Sequence, residues 1–130
     1  MIFREELARA IVKGDKTATR RQVSGNPRSP WALPMPGLER SEWSYPEGKV
    51  FTVNPGRGAH RVAECRVTRR YMQRLGDMSE ASARKEGFDS LTDFIAAWTK
   101  INGSYDVHER VHVVEFELVS VSATPEEIAA

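Results

Sequence analysis

Apolar residues recur along this chain in two periods. Phe3, Leu7, Ala10 and Ile11 fall at helical spacing, with Arg4, Glu5, Glu6 and Arg9 between them. They predict a helix near residues 2–13 with one buried stripe, ended by Gly14. A short extended segment follows, from Lys16 to Arg21. Lys49–Val53 reads as a strand and residues 54–58 as a turn. Residues 61–69 alternate, with Ala63, Cys65 and Val67 inward and Glu64 and Arg66 outward. Arg69, Arg70 and Arg74 crowd the far end, as at a solvated strand end. Ser79 caps a short helix over 80–86 that Gly87 closes. Ser90 caps a helix over 90–102, with Leu91, Phe94, Ile95, Trp98 and Ile101 as its buried stripe. His112 to Val119 reads as a strand with Val114, Phe116 and Leu118 inward and Glu115 and Glu117 outward.

Residues 22–48 break both periods. Pro27, Pro30, Pro34, Pro36 and Pro46 remove ladder donors and fix φ, so no regular element fits there. The stretch also carries Trp31, Leu33, Met35, Leu38, Trp43 and Tyr45. A long loop with aromatic anchors is a lid, a binding loop or a tethered flap. Its rings either stack on a base or pin the loop to the body of the fold. The organisation expected is a single domain over 1–120, with a Pro-rich insertion at 22–48, and a C-terminal tail at 121–130. Thr124–Ile128 carries helix-start signals but is too short to hold a helix alone.

The chain has 130 residues, enough for one core. No apolar run approaches a membrane span, and the first residues lack the order of a secretory signal, so a cytoplasmic location is expected. The single cysteine, Cys65, excludes an internal disulfide. Net charge is +1, yet residues 1–75 carry 15 Lys/Arg against 7 Asp/Glu, and residues 76–130 carry 4 against 11. A face built from the first half would attract phosphates; interleaved halves would neutralise each other.

Chemistry-bearing residues concentrate after Gly14. If Lys16–Arg21 is extended, Thr17, Thr19 and Arg21 share one wall, and Ala18 and Arg20 the other. Glu86 ends a short helix, where the dipole disfavours a carboxylate anion, which suits a proton donor. His108-Glu109-Arg110-Val111-His112 matches H-E-x-x-H, but zinc binding by that motif needs a helix, and this segment is β-patterned. Two polar residues at a strand entrance are the plainer reading, and no metal site is assigned.

Three stretches together resemble the ASCH-domain family: the helix leading into Gly14–Arg21, Ser79–Phe88 before the helix with Trp98, and the strand Val113–Leu118. The resemblance implies an α+β fold, a PUA-like (ASCH) mixed β-barrel with flanking helices and a cleft beside the Lys-Thr segment. It implies RNA or a modified nucleoside as partner and no cofactor. Some bacterial members are acetylcytidine amidohydrolases, whose lysine, threonine and glutamate match Lys16, Thr19 and Glu86, with Arg21 two residues after the threonine. In that scheme Thr19 attacks, Lys16, its pKa lowered by desolvation beside Arg21, takes the proton, and Glu86 protonates the leaving amine. Thr17 and Arg21 would line the same wall. Another family member has been described as a ribonuclease. The Pro-rich insertion and the longer helix near Trp98 depart from the small amidohydrolases. The alternative is a non-catalytic RNA-binding module in which Lys16, Arg20 and Arg21 grip phosphates. A protein-interaction barrel is a third reading.

Overall fold

A computed structural model describes residues 1–34 and 43–128. Met35, Pro36 and Leu38 of the Pro-rich stretch lie outside these. The chain forms α1 (Glu5–Lys13), β1 (Ala18–Gln22), β2 (Val50–Val53), β3 (Ala63–Arg74), α2 (Glu80–Lys85), α3 (Leu91–Asn102), β4 (Arg110–Val121) and α4 (Pro125–Ile128). The four strands make one antiparallel sheet in the order β1-β4-β3-β2. It curls into a half-barrel flanked by helices, an α+β architecture. Register shifts between Glu64 and Cys65 and between Val67 and Arg69 interrupt the β3–β4 ladder. Such bulges bend a strand and increase its twist, which suits the curl.

Helix ends follow local chemistry. The Ser79 and Ser90 side chains accept from the backbone N–H groups of Ser82 and Asp93, satisfying donors that a helix start leaves open. Gly14 takes φ 84° at the end of α1, a conformation that costs a glycine little.

Two apolar clusters flank the central strand β4. One joins Phe3, Ala8 and Ile11 to Phe51, Val53, Cys65, Val67, Val114 and Phe116, and Ile128 of α4 is buried in it. The other joins Leu75, Met78, Ala83, Phe94, Trp98 and Val111 beneath α2 and α3. With clusters on both sides, Val111, His112, Val113 and Val114 are all fully buried, and the alternation expected of β4 is lost there. Leu118, expected inward, is 40% exposed. The β1–β4 ladder stops at Glu115, so β4 lacks that neighbour beyond it.

The long β3 carries a second departure. Arg70, expected at a solvated strand end, is 2% exposed. The strand runs on to Arg74, and Arg70 pairs across the sheet with Val114. The basic and acidic halves of the sequence meet on these strands. Arg66 pairs with Glu117 at 3.1 Å and Arg69 with Glu115 at 3.3 Å, so these charges neutralise locally.

Candidate ligand-binding cleft

The site begins at the end of α1. The N–H groups of Asp15 and Lys16 both donate to the Ala10 carbonyl, which turns the chain and sends it into β1. The Thr17 N–H donates to the Lys85 carbonyl at 2.7 Å, tying the end of α2 to the start of β1. Gly87 completes that junction. Its φ is 96°, and a Cβ there would stand 3.3 Å from the Lys16 Cβ and 3.6 Å from the Ala10 Cβ. Positive φ and close approach together call for glycine. The consequence is that Glu86, 70 residues away in sequence, sits directly on Lys16.

Lys16 is 2% exposed, and its ammonium donates to the Ala18 carbonyl at 2.7 Å, the Glu86 carbonyl at 2.9 Å and Glu86 Oε1 at 3.5 Å. Arg20 approaches the same carboxylate from the other side, with Nη1 at 2.9 Å from Oε2, and its Nη2 donates to Gln73 Oε1 at 2.6 Å. Glu86 is thus an acceptor at both oxygens, held between two cations. Arg21 donates through Nε to Thr19 Oγ1 at 3.3 Å and through Nη2 to the Ile2 carbonyl at 2.9 Å. Its guanidinium contacts the rings of Phe3 and Trp31, 5.0 and 5.4 Å from their centroids.

Lys16, Thr19, Arg20 and Glu86 are each at least nine-tenths buried. Two cations and one carboxylate therefore leave a buried excess of positive charge. Burial lowers the pKa of Lys16, Glu86 opposes that, and Arg21 and Arg20 add to the lowering. Arg21 is lowered by burial too, against the pull of Glu86. Buried charge is costly, and clusters of this kind are concentrated at functional sites.

These groups line a cleft of about 230 Å³. Lys16, Thr19, Arg20, Arg21 and Glu86 all contribute to its wall. Thr17 does not: it is exposed, and its backbone carbonyl accepts the Phe116 N–H instead. Arg20, set by alternation on the opposite face from Thr19, reaches the same cleft through its long side chain. Much of the remaining lining is apolar, with Phe88 and with Phe94, Ala97, Trp98 and Ile101 of α3. The helical spacing of that stripe is visible in the sequence, but not that it lines the same cleft as β1. Ile101, expected buried, is 51% exposed at the rim. The Trp98 indole N–H and Arg20 Nε are buried without a hydrogen-bond partner among the described residues. The polar wall can hold a carbonyl, phosphate or carboxylate, and the apolar wall can cover a flat ring. His112 stands apart from the cleft lining, on β4 rather than on a helix.

No known family's sequence profile matches the chain, and no curated protein matches it. Solved structures do. A protein from Enterococcus faecalis V583, described as belonging to the DUF984 family, is 19% identical and superposes with a TM-score of 0.61, over 89% of this chain and 68% of that one. The ASCH domain from Lactobacillus crispatus JV V101 is 15% identical, with a TM-score of 0.58 over 88% of this chain and 71% of that one. ASCH from Zymomonas mobilis is 13% identical, with a TM-score of 0.54 over 94% and 71%. The chain therefore has the fold of ASCH domains. Among the described residues no helix is long and apolar enough to cross a membrane.

Proposed function

We propose that this chain is an ASCH-domain protein whose cleft binds a modified nucleoside or RNA, and that it hydrolyses an acyl amide such as that of acetylcytidine. The observation carrying this is that Lys16, Thr19 and Glu86 line one small cleft together with Phe88, Phe94 and Trp98. A flat pyrimidine would lie against Phe94 and Trp98, and the acyl carbonyl would face Thr19 and Arg21. The Thr19 hydroxyl is the nucleophile, the desolvated Lys16 its base, and the Arg21 fork stabilises the oxyanion. Lys16 passes the proton it takes from Thr19 to Glu86 Oε1, 3.5 Å away, and Glu86 delivers it to the leaving amine. A water, giving up its proton along the same path in reverse, then attacks the acyl-Thr19 ester and releases the acid and the free hydroxyl.

A second reading is favoured by one detail. All three Lys16 protons have acceptors. An ammonium so engaged has no lone pair for Thr19 and serves as a fixed cation in a binding-only cleft. Incubation with acetylcytidine separates the two. The enzyme reading expects cytidine release that is lost in Lys16→Ala, Thr19→Ala and Glu86→Gln. Acetylcytidine binding without cytidine release supports the binding module. Activity surviving in Thr19→Ala contradicts the nucleophile role.

A further inference from the structure

His112 comes from the motif that the cleft does not use, and it is fully buried. Its Nδ1 lies 2.8 Å from Arg70 Nη2, and its Nε2 lies 2.6 Å from the Trp31 carbonyl oxygen. A guanidinium only donates, so Nδ1 must accept and Nε2 must carry the proton. One tautomer of the neutral ring satisfies both contacts. The Trp31 carbonyl also accepts the Ser24 N–H at 2.9 Å, so both its lone pairs are used.

This anchoring has a direction. Arg21 is the register partner of His112 on β1. The Trp31 ring, held by its own carbonyl to His112 and stacked on Tyr45 with centroids 5.2 Å apart, packs against the Arg21 guanidinium. Phe3 is its second aromatic neighbour. Without Trp31 the guanidinium keeps its hydrogen bonds to Thr19 and Ile2 and its contact with Phe3 but loses the indole. From these contacts we infer that His112 is a positioning residue for the cleft: through the Trp31 carbonyl it seats the indole that holds the Arg21 fork toward a bound anion or carbonyl. The inference rests on the reading of the cleft as a ligand site.

The test uses the full chain and three variants. His112→Gln keeps an N–H donor for Trp31 and an oxygen acceptor for Arg70. His112→Leu removes both, and Trp31→Ala removes the indole without touching the core strand. The first readout is the Arg21 Nε–H resonance, which two neighbouring rings displace from that of exposed arginines. It should stay displaced in His112→Gln and move toward the exposed position in His112→Leu and Trp31→Ala. The second is the affinity for acetylcytidine, expected to fall about tenfold in the latter two and to recover in His112→Gln, the scale of one lost cation–aromatic contact. An unmoved Arg21 resonance in folded His112→Leu overturns the inference. So does a moved resonance with unchanged affinity. If His112→Leu does not fold, His112→Asn, polar but too short to reach the Trp31 carbonyl and Arg70 together, decides by the same two readouts: an unmoved Arg21 resonance there overturns the inference. If acetylcytidine binds none of the proteins, the nucleoside reading fails, and the Arg21 resonance still decides whether His112 seats it.

Discussion

Two buried polar networks lie either side of β1, and they solve the same problem differently. In the first, Lys16 and Arg20 share the Glu86 carboxylate. In the second, Arg70 meets a neutral imidazole and lies 4.1 Å from the centroid of the Trp43 ring. The first faces a cleft, and the second is roofed by aromatic side chains. A carboxylate between two cations keeps charge concentrated where a ligand can meet it. An imidazole passes a hydrogen bond on to a backbone carbonyl and so fixes a loop. The two networks differ accordingly: one lines the cleft, and the other bonds the Trp31 carbonyl.

The largest effect should come from breaking the first network. Glu86→Ala strands two buried cations and is expected to cost about 3–5 kcal/mol of stability. Urea denaturation measures it, and Glu86→Gln, which keeps an acceptor for one cation, should cost less. A loss under about 1 kcal/mol in Glu86→Ala would be the scale of a solvated surface pair and would remove the contrast.

A smaller, pH-dependent effect should mark the second network. Burial pulls the His112 pKa below its ordinary value; the Trp31 carbonyl opposes this and Arg70 adds to it. The unfolded chain, with a histidine near the usual value of about 6.5, then binds more protons than the folded one. Stability from this group is therefore fully present above that value and is lost as pH falls through the folded pKa. Midpoints of unfolding between neutral and mildly acid pH should fall less steeply in His112→Gln than in the parent. Parallel slopes would show that His112 is not held neutral.

The smallest effect belongs to the surface. The side chains of Arg66 and Glu117 are about half exposed, and Arg66→Ala should change stability by less than about 1 kcal/mol, with the difference shrinking in salt. A larger cost would mean that the β3–β4 ladder relies on its outer charges.

Much of this frame was legible in the chain. The serine caps, Gly14, and the inward Ala63, Cys65 and Val67 follow from local rules that tertiary packing left intact. The approach of Glu86 to Lys16 was legible only through the family resemblance. No local pattern links them, and the contact depends on one long-range hydrogen bond and a glycine junction. Arg70 is buried against expectation because periodicity does not reveal where a strand stops or what its partner offers. His112 looked like a polar strand entrance because a buried histidine needs a donor-only neighbour that sequence cannot place beside it. The apolar wall of the cleft was visible as a helix stripe, but which surface it faced was not.

The central claim is that the Glu86 network, and not the His112 network, faces the ligand. Backbone amide shifts on adding acetylcytidine test it directly. The account predicts changes at Thr19–Arg21, at Glu86–Phe88 and along Phe94–Trp98, with Val111 and Val113 on either side of His112 unmoved. Changes centred on the strand around His112, or none at the cleft, would contradict it.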